Sequence, residues 1–179
     1  HRDHFELCMG PVTDVLRNRL VGLPLDLPAI NLTRARSEGI PSLNNVRKQI
    51  FAATNDGQLT PYANWIDFGL ALKHPESLIN FVAAYGRHPS ILVETTAAGK
   101  REAARLIVDP SIFDVSPNPE PPADAPEFMG STGAWSNSGS TSTTGVDGID
   151  LWVGGLAENT NPFGGLLGST FNYVFEKQL

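Results

Sequence analysis

Apolar residues recur at helical spacing in several short stretches of this chain, and this pattern constrains the fold more than any other feature. Within each stretch the large side chains return every three or four positions, which places them on one face of an α-helix. The stretches are residues 12–20, 43–51, 61–72 and 75–85. Residues 91–108 favour a further helix that breaks or begins near Thr95 or Thr96. The sequence therefore predicts a mainly α fold.

The stretch at residues 43–51 shows how these helices are expected to pack. Ser42 precedes it and can cap the helix N-terminus. The apolar side chains of residues 43–51 would face the core, whereas Arg47 and Lys48 would face solvent. The Asn55-Asp-Gly57 sequence would then break the chain.

Two polar segments, residues 116–122 and 136–145, are predicted to be exposed loops. Both contain many turn-forming residues and few side chains that could be buried. Phe128 and Trp135 lie between them. We expect these two aromatic residues to hold the loop region against the protein.

Charge and composition exclude several classes of function. The chain carries a net charge of −6, and its 13 basic residues are scattered, which argues against nucleic-acid binding. No run approaches the roughly 20 apolar residues that a membrane-spanning helix needs. Cys8 is the single cysteine, so an internal disulfide is impossible. An acidic extracellular protein fits this composition.

The best clue to function lies in a helix predicted to begin near Leu27, with Asp26 as its N-cap. Asn31 and Arg34 are three residues apart and would share one face of that helix, whereas Arg36 would point elsewhere. An amide beside a fixed cation suits an imidazole whose N–H must be oriented and a carboxylate that must be neutralised. A haem with its axial histidine and propionates presents both groups.

Spacing alone leaves a simpler interpretation open and favours it. Arg34 and Arg36 would then be solvated or would pair with local acids such as Glu38, while Asn31 would satisfy buried backbone. Asn-x-x-Arg pairs are common on helices.

Two segments resemble the animal-type haem peroxidases of the peroxidase-cyclooxygenase superfamily. Residues 25–44 resemble the family segment Asp-Leu-Pro-Ala-Leu-Asn-x-x-Arg-x-Arg-Asp-His-Gly-x-Pro-x-Tyr-Asn, and residues 149–158 resemble Asp-x-Trp-x-Gly-Gly-x-x-Glu. The amino-acid sequence of these segments is most similar to the bacterial branch of the family, whose peroxidase domains often lie inside large secreted calcium-binding-repeat proteins. The chain departs from mammalian members at Ser37, Glu38 and Leu43, where they have Asp, His and Tyr.

This resemblance implies the C-terminal portion of the animal haem peroxidase helical fold, with long irregular loops. Residues 1–179 would form a partial haem peroxidase domain. Within it, residues 1–86 would supply proximal-side helices, residues 87–147 an insertion with flexible loops, and residues 148–179 the C-terminal peroxidase motif.

The resemblance also implies a site. Asn31 would hydrogen-bond the proximal haem histidine and Arg34 would approach a haem propionate. The cofactor would be haem b, with its iron ligand outside this chain. The distal histidine, its calcium loop, the catalytic arginine and the proximal histidine are all expected N-terminal to this segment. We therefore predict no catalytic residue and no metal ligand within the chain, although the full-length protein could bind calcium.

The implied function is the reduction of hydrogen peroxide with oxidation of a halide or an organic donor by a secreted, full-length enzyme. The isolated fragment is expected to be inactive, and the remainder of the peroxidase domain would be its partner. Two alternatives remain open. One is a haem fatty-acid dioxygenase of the same superfamily, and the other is a haem-free peroxidase-like module in adhesion or scaffolding.

The remaining polar candidates receive structural interpretations. His1, His4, His74 and His88 stand in no recognisable ligand context, and we expect them to be structural or on the surface. Residues 147–150 contain two aspartates but lack the alternating carboxylates of an EF-hand, so a plain turn is predicted.

Overall fold

The computed structural model describes residues 26–108, 120–160 and 165–178. Nine α-helices lie within these ranges, which contain no β-strand and two isolated bridges. The prediction of a mainly α fold is confirmed. The helices are α1 (Leu27–Ser37), α2 (Leu43–Thr54), α3 (Trp65–Leu70), α4 (Leu78–Tyr85), α5 (Pro89–Leu92), α6 (Ala97–Val108), α7 (Ala125–Gly130), α8 (Leu151–Ala157) and α9 (Ser169–Gln178).

Short 3₁₀ turns connect several of these helices, at Gly57–Leu59, Pro75–Ser77, Gly133–Trp135 and Val146–Gly148. The helix predicted at residues 12–20 lies outside the described residues, as do His1, His4, Cys8 and residues 116–119 of the first predicted loop. None of the helices in the described ranges combines the length and the apolar character that crossing a bilayer requires.

The chain divides into two compact units. The first contains the described residues up to position 61 and those from position 148 onward, and the second contains residues 62–147. In the first unit α2 packs against α8 and α8 against α9. Its core is formed by large aliphatic side chains that are almost completely buried, namely Leu32, Leu43, Leu59, Ile149 and Val153.

The second unit is built around the packing of α4 against α6. Phe68 stands edge to face with both Trp65 and Phe81, at centroid distances of 6.2 and 5.0 Å. All three rings are fully buried. Edge-to-face arrangements are favourable because the positive edge of one ring meets the negative face of the other. These aromatic residues therefore pack in the core, as their helical spacing predicts.

Local sequence accounts for the ends of α1 and α2. Asp26 accepts the backbone N–H of Ala29 at 3.1 Å, as expected for the N-cap of α1. Gly39 follows α1 with φ of +73°, and Asn55 ends α2 with φ of +53°. Ser42 does occupy the N-cap position of α2, but its side chain makes no capping hydrogen bond and its buried Oγ has no hydrogen-bond partner among the described residues.

The second unit corrects one predicted boundary. The stretch predicted to start at Pro61 becomes helical only at Trp65, because Asn64 Oδ1 caps α3 by accepting the N–H of Asp67 at 2.8 Å. The predicted interruption near Thr95 is confirmed, since α5 ends at Leu92 and α6 begins at Ala97.

The polar segment at residues 136–145 is only partly the exposed loop that its composition predicts. Its first residues are exposed, but Ser142 and Thr144 are buried. The carbonyl of Thr144 accepts the indole N–H of Trp65 at 3.2 Å and the backbone N–H of Arg87 at 3.0 Å. Side chains of the segment contribute as well, since Thr143 Oγ1 donates to the carbonyl of Trp135 at 2.6 Å and Asn137 Nδ2 to that of Ala63 at 2.9 Å, and composition carries no signal for such partners.

Candidate functional site

The two predicted site residues lie on α1. Asn31 is half-buried and Arg34 is exposed. Leu32, which is fully buried, precedes Arg34 by two residues and therefore points to the opposite side of the helix. Within the described part of the chain, the side chains of Asn31 and Arg34 make no hydrogen bond or ion pair. Both remain available to an external group.

Arg36 points away from this pair, as predicted, and its partner lies far along the sequence. Its Nε and Nη2 donate to Oδ1 and Oδ2 of Asp150 at 2.8 and 2.6 Å. Two parallel bonds of this kind fix both position and orientation. The interpretation that Arg36 pairs with a local acid such as Glu38 is therefore wrong. The contact joins the first motif segment to the second.

A second arginine–carboxylate pair joins α2 to the end of the second motif. Arg47 is 4% exposed and Glu158 is 2% exposed, and Arg47 Nη1 donates to Glu158 Oε1 at 3.0 Å. The prediction that Arg47 faces solvent is wrong. Its guanidinium also donates to the carbonyls of Gln58 and Thr60 at about 3.0 Å, so burial leaves its donors satisfied.

Glu158 is held from its other side by the start of α9. Thr170 Oγ1 donates to Glu158 Oε1 at 2.7 Å, and the backbone N–H of Thr170 donates to Oε2 at 2.9 Å. Arg47 also reaches Ser169 Oγ at 2.8 Å. This buried network connects three helices of the first unit, so the terminal glutamate of the motif has a structural role.

The paired glycines of the second motif allow α8 to pack closely. A Cβ at Gly154 would lie 2.7 Å from side-chain atoms of both Leu43 and Ile149, and a Cβ at Gly155 would lie 2.7 Å from the ring of Phe171. The backbone N–H of Leu43 donates to the carbonyl of Ile149 at 2.9 Å. The two glycines of the Asp-x-Trp-x-Gly-Gly-x-x-Glu pattern thus let α8 pack in close contact with α2 and α9.

His88 belongs to a separate buried network in the second unit. The backbone N–H of Ser90 donates to its Nδ1 at 3.2 Å, so the neutral ring carries its proton on Nε2, which lies 3.1 Å from Asp124 Oδ1. The ring packs against Phe128 and Trp135 at centroid distances of 5.2 and 5.5 Å. The expectation that Phe128 and Trp135 hold this region in place is confirmed, and His88 has a structural position.

Asp124 gives this network a pH dependence. Its pKa is lowered from the ordinary value, first because Trp135 Nε1 donates to Oδ2 at 2.9 Å and second because His88 bonds to Oδ1. The Asp124 carboxyl group therefore binds its proton more weakly in the folded protein than in the unfolded chain, and its charged form stabilises the fold. The stabilisation is complete above the ordinary carboxyl pKa of about 3.9 and is lost as the pH falls through the lower folded value.

We expect Asp124→Asn to abolish this acid-sensitive component. The difference in free energy of unfolding between the wild type and Asp124→Asn should be largest at pH 6 and should shrink below about pH 4. Urea unfolding at a series of pH values, followed by near-UV circular dichroism, measures this difference. A difference that stays constant down to about pH 2.5 would contradict the assignment.

The described residues contain no cluster of three or more side chains that could hold a metal ion. Asp150 is paired with Arg36, and Asp147 Oδ2 accepts the backbone N–H of Ser142 at 2.7 Å. His74 is exposed, with its Nδ1 3.4 Å from Glu76 Oε1. Asp150, Asp147 and His74 thus each contact a protein group rather than one another.

No protein-family model, curated protein or solved structure matches this chain. The likeness to haem peroxidases therefore rests on the two motif segments in the sequence. The structure brings those segments together in one unit through the Arg36–Asp150 pair.

Sequence reasoning missed the arginine–carboxylate pairs and the His88 network. A signal for Arg47 was present, because it lies four residues after Leu43 and three before Ile50, on the predicted inward face. Its charge led to the opposite prediction. Nothing in the sequence pairs His88 with Asp124, since 36 residues separate them along the chain.

Proposed function

We propose that this chain is a C-terminal part of the catalytic domain of a secreted, animal-type haem peroxidase, and that Asn31 and Arg34 support the proximal side of the haem. The full-length enzyme would reduce hydrogen peroxide and oxidise a halide or an organic donor. The remainder of the peroxidase domain would be the partner of this segment and would supply the iron ligand.

One observation carries the proposal: the polar residues of the two motif segments fall into two groups. Arg36, Asp150 and Glu158 bind one another or α2 and hold the first unit together. Asn31 and Arg34 make no such side-chain contact in the described residues. Buried polar groups of a fold are normally bonded within it, and the half-buried Asn31 makes no such bond in the described residues. Glu38 and Ser42 also lack a side-chain bond among the described residues, and of these four residues Asn31 and Arg34 are the two that the resemblance assigns to haem.

The donor set fits the outer side of a haem site. An amide oxygen accepts the N–H of an imidazole, and a guanidinium binds a carboxylate through one or two N–H groups. When bound, haem would supply the reaction with peroxide. Asn31 would hold an axial imidazole in one tautomer and orientation, and Arg34 would offset a propionate charge. The iron ligand would come from the remainder of the peroxidase domain, as the resemblance implies.

Replacing Asn31 by alanine in the full-length protein tests this role. We expect haem affinity or peroxide turnover to fall by about 10- to 100-fold, the usual effect of removing a group that orients a metal ligand. Soret absorbance per protein and the rate of haem transfer to apomyoglobin measure retention. Arg34→Gln should also weaken retention, through loss of the propionate contact.

Asn45→Ala is the matched control, because Asn45 is an exposed asparagine on α2. It should leave haem content and turnover unchanged. If Asn31→Ala behaves like this control, the proposed role is wrong. Oxygen uptake with a fatty acid instead of peroxide turnover would indicate the dioxygenase, and a full-length protein that binds no haem would indicate the scaffold module.

A further inference from the structure

A cavity lies in the first unit beside α1, on the side of the helix that packs against the protein. Its volume is about 200 Å³ and it opens to solvent. It is bounded by α1, by the turn that follows α1, and by residues of α8 and α9. The side chains that define it include Leu32, Ala35, Ile40, Trp152 and Phe171, with Asp150 as its charged member.

The volume limits how much of a ligand can be enclosed. An apolar protein cavity of about 150 Å³ takes up a benzene ring, whereas sites for drug-sized molecules span about 300–1,000 Å³. A cavity of about 200 Å³ is therefore suited to one ring or one fused pair of rings. Trp152 and Phe171 contribute aromatic walls, which favour a planar aromatic ligand over an aliphatic chain of the same volume.

The residues that line the cavity disfavour a charged ligand. Asp150 is the one charged side chain among the described residues that line the cavity, and its two carboxylate oxygens bind Arg36 at 2.8 and 2.6 Å. The opposite charges of this pair offset each other, so the cavity presents no net charge to a ligand. A charged ligand would lose its hydration without gaining an ion pair.

We infer that this cavity is a binding site for a neutral aromatic molecule of benzene to indole size. Leu32 and Ala35 line the cavity from α1 and Asn31 and Arg34 do not, so the inference does not rest on the proposed haem contacts. It would persist if the chain served as a haem-free module.

Indole is the probe, with benzylammonium and benzoate as charged comparators of similar size. Titration is followed by the side-chain N–H signal of Trp152 in nitrogen-resolved NMR, identified with Trp152→Phe, and by calorimetry. We expect indole to bind with a dissociation constant of about 0.1–1 mM, the range for a ligand of this size. Each charged comparator should bind at least about tenfold more weakly.

Two variants fill the cavity from different sides. Ala35→Leu places a larger, helix-favouring side chain into it from α1, and Ile40→Phe does so from the exposed turn after α1. Each should weaken indole binding by about tenfold or more, because the added atoms occupy the space of the ligand. Ala52→Leu is the matched control on the exposed side of α2 and should change the affinity by less than about twofold.

Three results would overturn the inference: no saturable shift of the Trp152 signal up to about 5 mM indole, equal affinity for the charged comparators, or unchanged affinity in the filling variants. If Ala35→Leu fails to fold, Ile40→Phe decides, since Ile40 is half exposed and a larger side chain there can extend toward solvent. The failure of haem binding in Asn31→Ala would not affect any of these results.

Discussion

Replacing Arg47 by methionine is expected to lower the free energy of unfolding of the first unit by about 3–5 kcal/mol. Methionine matches the aliphatic part of arginine but removes the guanidinium. Glu158 would then keep a carboxylate that is 2% exposed and would lose its bond from Arg47 Nη1, while the bonds from Thr170 stay. The carbonyls of Gln58 and Thr60 would lose the same donor group. A charge left buried without its counterion accounts for most of the loss.

Fluorine NMR of fluorotryptophan-labelled protein separates this effect by unit. The chain has three tryptophans, of which Trp152 reports on the first unit and Trp65 and Trp135 on the second. Urea should shift the Trp152 transition of Arg47→Met to lower concentration. Arg105→Met is the matched control, because Arg105 forms a salt bridge with Glu102, which is half exposed; it should cost less than about 1 kcal/mol. Equal losses would show that the buried network contributes little.

A double variant tests the origin of the loss. In Arg47→Met with Glu158→Leu, neither charge remains, so we expect the double variant to be less destabilised than the sum of the two single variants. Some loss should persist, since the carbonyls of Gln58 and Thr60 would still lack the guanidinium donors. Simple additivity of the single effects would argue against a direct coupling of Arg47 to Glu158.

Arg47 also shows why the fold could be predicted further than its interactions. Period and capping residues indicate the helices from local sequence, and α1 begins and ends where Asp26 and Gly39 predict. The sequence also shows that a charged residue, Arg47, lies on the inward face of α2. Burial of that charge depends on a carboxylate 111 positions away, and a helical period carries no information about such a partner.

The candidate site divides in the same way. Spacing predicts that Asn31 and Arg34 share a face and that Arg36 diverges, because these relations follow from helix geometry alone. The bond between Arg36 and Asp150 depends on how α1 and the start of α8 come together, a property of the tertiary fold. The two motif segments could therefore be recognised from sequence, while the physical reason that they contact each other required the structure.

Replacing Gly145 by alanine is expected to cost the second unit about 3–5 kcal/mol of unfolding free energy. Gly145 has φ of +104°, which L-residues rarely adopt, and a Cβ there would lie 2.1 Å from the carbonyl oxygen of Tyr85. That atom belongs to backbone and cannot rotate away. Thr144, its neighbour, accepts hydrogen bonds from Trp65 and from the backbone N–H of Arg87, so relief of the clash would break both.

Gly139→Ala separates the steric clash from the strain of a positive φ. Gly139 has φ of +62°, but a Cβ there would meet nothing within 4 Å, so its replacement should cost only about 1–2 kcal/mol. The fluorine signal of Trp65 should move in Gly145→Ala and stay in place in Gly139→Ala, because the Trp65 indole N–H bonds to Thr144. If both variants lose the same stability, backbone strain alone explains Gly145. A larger loss together with a moved Trp65 signal would locate the cost in the approach of residues 144–145 to the end of α4, which is the contact that buries part of a segment whose composition predicts an exposed loop.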